Sequence, residues 1–291
     1  MTTPLAFDGT QRLFQIGLKP LDFNEWIDID THFARYLAEK ARLEAAYPDE
    51  VFATEAATED SQAELLALLV AHLPARFPDI FRLDVGSMSV AGRSVPLTGS
   101  EPLRIAARLV QEDLILMRRG ETGWRLAAGS LSFPSSWRLR EKFGRPIHEI
   151  HAPVPGFGDG TRNAELIARM FDNLRPAIGV IRWNWSLYPE ADLYHPASGE
   201  GGLRFSGNPD AIFLRVERQT LRKLPGTGDI VFTIRIYVDP LTRLAQTSGS
   251  ATIAAGLMAQ LESLDPAQLS YKGLTDARDD LIARLSAMAS P

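Results

Sequence analysis

The sequence predicts an α+β protein, a mostly antiparallel sheet covered by helices with further helices at both ends. Three observations predict it. Segments of helical period come first, a cluster of strand-period segments enclosing two helices comes next, and helical segments close the chain. Strands and helices nowhere alternate at the ~30-residue spacing of a βαβ unit, which disfavours a doubly wound parallel sheet. Two apolar runs also flank Gly120-Glu121-Thr122-Gly123, the pattern of an antiparallel hairpin with a four-residue turn.

Taken in order, a first helix is expected from about Asp30 to Tyr47. Phe33, Tyr36, Leu37, Lys40 and Leu43 share one face, and Pro48 stops it. Ser61-Gln62-Ala63-Glu64 reads as a capping box that opens the second helix onto Leu65, Leu66, Leu69 and Val70. A short third helix begins after Ser100 and ends near Val110. Leu114 to Met117 and Trp124 to Leu131 form the hairpin, and Ser135 or Ser136 is placed to cap a short helix that ends before Gly144.

A proline-rich connection, Pro146 to Gly158, precedes a helix from Asn163 to Leu174. Ile178 to Leu187 then alternates strictly. Ile181, Trp183, Trp185 and Leu187 fall on one face, with Val180, Arg182, Asn184 and Ser186 on the other. A long loop, Tyr188 to Pro209, separates it from a strand at Ala211 to Glu217. After the Pro225–Gly228 turn, Ile230, Phe232, Ile234, Ile236 and Val238 mark one face of a further strand. The tail from about Ala251 is helical, with Thr275 as a cap. No linker divides the chain, so residues 1–291 are read as one domain with its core at about 14–243 and a helical tail at 250–291.

Composition narrows the chemistry. Lys and Arg total 31 against 36 Asp and Glu, a net charge of −5, which leaves no basic excess for phosphates and argues against nucleic acid as the main partner. With no cysteine, thiolate metal sites, iron–sulfur clusters and Cys nucleophiles are excluded. No apolar run approaches the roughly 20 residues of a membrane helix, and Met1 to Thr10 lacks the basic and apolar regions of a signal peptide, so a cytoplasmic protein is expected.

Enzyme signatures fail when checked. Gly156-Phe157-Gly158-Asp159-Gly160-Thr161 puts Thr161 where a dinucleotide fingerprint needs its third glycine, and prolines rather than a strand precede it. There is no Gly-Lys-Ser/Thr phosphate loop and no Gly-x-Ser-x-Gly elbow. His148-Glu149-Ile150-His151 misses the i, i+4 spacing of a zincin helix, and in an extended segment at most one of the two histidines would face a given site. Of the five histidines, His32 and His72 read as structural, while His195 lies in the long loop. His148 and His151 sit on a proline-stiffened backbone, a suitable place to fix a ligand. Arg182 and Asn184 share one strand face, as do Arg215 and Glu217, with Arg218 and Gln219 immediately after. These make either a solvated sheet face or the polar floor of a pocket in which Arg holds an anion.

An ordered series of motifs carries a resemblance. Ile16-Gly17-Leu18-Lys19-Pro20-Leu21, Val110-Gln111-Glu112-Asp113-Leu114, Phe133-Pro134-Ser135-Ser136-Trp137 and Ile150-His151-Ala152-Pro153-Val154-Pro155-Gly156 are succeeded by Arg182-Trp183-Asn184-Trp185, by the run from Arg215 to Pro225 and by Phe232-Thr233-Ile234-Arg235. The series resembles the haem-dependent oxidative N-demethylases, the family that includes the haem subunit of bacterial dimethylamine monooxygenase, over about residues 14–243. The resemblance implies a PAS-like core and haem b ligated by His151, with His148 as the alternative ligand. It implies that Arg182, Asn184 and Arg215 serve the cofactor, and that Glu217, Arg218 and Gln219 serve catalysis, with Glu217 facing the protonated amine. The implied reaction is oxidative removal of a methyl group from a small, dimethylamine-like amine as formaldehyde, with O₂ as co-substrate. Electrons would come from a separate NAD(P)H-dependent flavin/iron–sulfur reductase. Two other readings stand beside it: a non-catalytic haem-binding sensor, and a metal hydrolase built on His148 or His151 with an acidic residue.

Overall fold

The computed structural model describes residues 8–196 and 211–289. Short β1 (Lys19–Leu21) leads to α1 (Phe33–Ala46), α2 (Pro48–Val51), β2 (Phe52–Thr54) and α3 (Glu59–Arg76). A meander of four-residue strands comes next, β3 (Phe81–Asp84), β4 (Ser87–Val90) and β5 (Arg93–Pro96), and then α4 (Pro102–Ala107). The hairpin is β6 (Asp113–Gly120) and β7 (Gly123–Ser130). Three helices succeed it, α5 (Leu139–Lys142), α6 (Ile147–His151) and α7 (Arg162–Asn173). Strands β8 (Gly179–Tyr188), β9 (Phe213–Lys223) and β10 (Ile230–Pro240) precede α8 (Ser250–Ser263), α9 (Pro266–Lys272) and α10 (Arg278–Ala289).

Seven strands form one sheet in the order β1-β8-β9-β10-β6-β7-β2, with every paired neighbour antiparallel; β3, β4 and β5 form a second, smaller antiparallel sheet. The α+β architecture is thus as the sequence predicts. Side-chain alternation sends Leu114, Leu116 and Val231 to one face, where they pack with Trp26, Phe33, Leu65 and Leu69 from the N-terminal region. Trp185, Leu187, Leu214 and Val216 meet Leu257, Leu261, Leu281 and Leu285 of the C-terminal helices. On the opposite face Ile115, Met117, Ile230, Ile234 and Ile236 pack with Phe157, Ile167 and Phe171 on and before α7.

Several local expectations are corrected. Helix α3 begins at Glu59, so Ser61 and Glu64 lie inside it. Their side chains serve tertiary contacts instead: Ser61 Oγ donates to Asp229 Oδ2 at 2.6 Å, and Glu64 accepts from the backbone N–H of Gly226 (2.6 Å) and Thr227 (2.9 Å), pinning the Pro225–Gly228 turn. Neither Ser135 nor Ser136 caps α5, whose N-cap is Arg138. The stretch from Ile147 to His151 is helical rather than extended, α10 starts at Arg278 rather than at Thr275, and β9 continues six residues past Glu217. Part of the Tyr188–Pro209 loop lies outside the described residues. Its described beginning is tied down by Ser136 N–H, which donates to His195 O at 2.8 Å. No helix among the described residues is long and apolar enough to cross a membrane.

Candidate functional site

A cavity of about 1500 Å³, its open mouth included, lies between the sheet and α5–α7. Its floor is chemically divided. In the β8/β9 register Asn184 stands opposite Glu217 and Arg182 opposite Gln219. This polar half continues through Leu221 into an apolar half made by Phe232, Ile234, Ile115, Met117 and Leu126. The polar face of β8 and β9 is therefore a cavity floor. Helices and segments toward both ends of the chain cover it in part: Phe14, Ile16 and Leu18 close one side, and Tyr271 and Lys272 join from the C-terminal helices.

The roof is α6 together with the turn from Val154 to Phe157. Ile147, Ile150 and His151 share one face of the short helix, at i, i+3 and i+4, and all three line the cavity. Pro146 precedes the helix and Pro153 and Pro155 lie just beyond it, so the backbone beneath His151 has little freedom. The His151 ring stands edge-on to Phe157, with centroids 6.2 Å apart. Among the described residues, no hydrogen-bond partner reaches its ring nitrogens. Burial, and then the charges of Lys142 and Arg182, pull its pKa down to about 4, so the imidazole is neutral near pH 7. His148 lies off this face and does not line the cavity.

Glu217 is buried, yet stays ionised. Burial pushes its carboxyl pKa up, but a hydrogen bond from Ser135, the charges of Lys272 and Arg215 and a hydrogen bond from Asn184 together hold it below the usual carboxylate range. Gln219 Nε2 donates to Glu217 Oε2 at 2.6 Å, and Asn184 Nδ2 donates to the same oxygen at 3.3 Å. Arg182 donates to Gln219 Oε1 at 3.0 Å and to Gln15 O at 3.1 Å.

The other predicted residues lie apart from the cavity. Arg215 is fully buried and its donors are taken by Ser135 Oγ (2.9 Å) and by the carbonyls of Phe133, Pro134, Asp192 and Leu193, so it ties the Phe133–Ser135 segment to the start of the long loop. Arg218 projects from the opposite sheet face and donates to the carbonyls of Glu25 and Trp26. His195 stacks near Tyr188, with centroids 4.4 Å apart, and does not line the cavity. Gly156 and Gly160, part of the failed dinucleotide pattern, hold positive φ in turns, and Thr161 caps α7 by accepting from Ala164 N.

Sequence reasoning missed Lys142 and Lys272. Lys142, on α5, lies 4.5 Å from the Trp137 ring centroid with no hydrogen-bond or ion-pair partner among the described residues, and burial lowers its pKa to about 8. Lys272 ends α9, where its ammonium donates to Trp185 O (2.8 Å) and Ser186 Oγ (3.0 Å). Both sit in short helices, of four and seven residues, whose local sequence gives no hint of a pocket.

A family model described as haem-dependent oxidative N-demethylase, alpha subunit-like, matches residues 17–282. The chain belongs to that family. The name of the haem-dependent oxidative N-demethylase family carries a haem-dependent oxidoreductase chemistry, and the cavity's residues fit the cofactor. His151 presents a neutral, unpartnered imidazole, the form that ligates iron. Lys142, Arg182 and Lys272 face a single lining carboxylate, Glu217, so the described lining carries an excess of two positive charges. A group with two carboxylates and a broad apolar body matches both that excess and the divided floor. No group of three or more His, Asp or Glu side chains that could hold a metal ion occurs among the described residues.

Proposed function

We propose that this chain is the haem-binding monooxygenase subunit for oxidative N-demethylation of a small, dimethylamine-like amine. It would consume O₂ and release formaldehyde, and a separate NAD(P)H-dependent flavin/iron–sulfur protein would supply electrons. One observation carries the reading: a buried carboxylate, Glu217, held ionised in the same cavity as a neutral, unpartnered His151. Haem bound there would supply the O₂-dependent oxidation of the N-methyl carbon. The chain's own residues do the rest. His151 holds the iron. Lys142 and Arg182 take the propionates, because each is a cation whose burial is otherwise uncompensated by a bonded carboxylate.

Glu217 receives the ammonium group, since a cation entering an apolar cavity needs a charge partner. Gln219 and Asn184 orient that carboxylate, while Phe232, Ile234, Met117 and Phe157 exclude water around the methyl groups. Support for a PAS-like core comes from the helices α5–α7 inserted between the β6–β7 hairpin and the β8–β10 strands that flank it in one sheet. The whole chain is read as one haem-binding unit, because both its ends help to close the cavity. It is placed in the cytoplasm, where reduced nicotinamide feeds a reductase. The test is turnover: haem-loaded protein with a flavin/iron–sulfur reductase, NADH and dimethylamine should release one formaldehyde per NADH. Haem retention with no amine response and no formaldehyde would point instead to a haem sensor.

A further inference from the structure

A side-chain amide has one donating end and one accepting end, so what stands behind it decides which end it shows a neighbour. Two amides flank Glu217, and a cation stands behind each. Gln219 Oε1 accepts from Arg182 at 3.0 Å, which turns its Nε2 toward Glu217 Oε2. Asn184 Oδ1 faces Lys272 Nζ at 3.4 Å, which turns its Nδ2 toward the same oxygen. Reversing either amide would set a carbonyl against a carboxylate and an NH₂ against a cation.

The two cations come from different places. Arg182 shares strand β8 with Asn184, whereas Lys272 arrives from the C-terminal helices. A capping box at Asp265 and a left-handed Gly273 (φ +65°) fix both ends of α9, and Trp185 O and Ser186 Oγ fix the ammonium. The other charged or titratable groups acting on Glu217 are Arg215 from its own strand and Lys142 from α5, with Ser135 adding a hydroxyl. Lys272 is the foremost charge among them.

We infer that Lys272 is a positioning residue: from the C-terminal helices it fixes the Asn184 amide and keeps Glu217 anionic, so that the cavity accepts a cationic amine throughout the neutral and mildly acidic range. This rests on the reading of Glu217 as the amine's partner. It gives the α8–α10 tail a part in substrate choice beyond covering the sheet.

Haem-loaded wild type, Lys272→Met and Lys272→Arg are compared by calorimetric titration with dimethylammonium at pH 5.5 and pH 8. The amine stays protonated at both values, and Lys142, which titrates near pH 8, is common to all three proteins, so a pH dependence shown by Lys272→Met alone reports the carboxylate. Wild type and Lys272→Arg should bind equally well at both, while Lys272→Met should lose about three- to tenfold in affinity at pH 5.5 relative to pH 8. Infrared titration should show a protonated-carboxyl band in Lys272→Met at pH 5.5 that vanishes when Glu217→Gln is added. Should Lys272→Met not fold, Asn184→Leu tests the same relay and is expected to show the same acid-side loss. A Lys272→Met protein that binds equally at both pH values and shows no such band overturns the inference. If wild type retains haem but binds no dimethylammonium, the functional reading fails, and the infrared band alone decides the role of Lys272.

Discussion

Lys142 is a cation that the fold itself does not satisfy. Its pKa is lowered to about 8, whereas an unfolded lysine titrates near 10.4, so at pH 7 the native state carries a charge that burial opposes. Between about pH 8 and pH 10 the unfolded chain holds a proton at this site that the native state has released, so stability rises with pH through that window. Replacing Lys142 by Met should stabilise the haem-free protein by about 1–3 kcal/mol at pH 7 and flatten its alkaline rise, seen in urea unfolding at several pH values. The same variant should lose haem faster to an apo-globin acceptor. A variant destabilised at pH 7 with unchanged haem loss would assign Lys142 to the fold instead. Glu217→Gln should keep haem yet weaken dimethylammonium binding about 10- to 100-fold, the range of a buried hydrogen bond to a charged group; undiminished binding by calorimetry would move the amine elsewhere. Residue roles were partly legible. Arg182, Asn184, Glu217 and Gln219 stand out as polar positions in apolar strands, and alternation puts them on one face. Arg218 does not belong with them because it is one residue out of phase, and Arg215, in phase, is drawn to backbone carbonyls that no sequence pattern announces.

At the scale of elements, strong periodicity was readable and local capping was not. The β8 face pattern, the hairpin and the α7 stripe emerge from side-chain spacing alone. Ser61 and Glu64 match a capping box in sequence yet lie inside α3, because both side chains are spent on a turn more than 150 residues away. The β3–β5 meander escaped notice since its strands are four residues long and expose Arg82, Leu83, Arg93 and Ser94. Close approach of elements was equally invisible. A Cβ on Gly256 of α8 would lie 2.6 Å from the carbonyl oxygen of Gly9, so the N-terminal segment crosses this helix where only glycine fits. Gly256→Ala should cost about 1–3 kcal/mol in urea unfolding, because the obstacle is backbone rather than a movable side-chain end. An unchanged midpoint would mean that the crossing yields easily.

At the scale of the molecule, the cavity draws on residues from Phe14 to Lys272, so the sheet, the inserted helices and both ends of the chain must be in place for it to exist. A ligand that binds only the assembled state stabilises all of it. Haem at a hundred times its dissociation constant should therefore raise the thermal midpoint by about 4–5 °C in calorimetry, and a midpoint indifferent to haem would place the cofactor outside this cavity. Fold class and the polar strand face were open to sequence reasoning because both derive from periodicity. The cavity itself was not, since Phe14, Lys142 and Lys272 meet only through tertiary packing. The most direct measurement is the absorption spectrum of wild type and His151→Ala after haem reconstitution and removal of free haem. Wild type should retain near-stoichiometric haem with a Soret band that shifts on adding dimethylamine, while His151→Ala should retain little or none. Equal haem content and identical spectra in the two proteins would contradict the assignment of this cavity as a His151-ligated haem site.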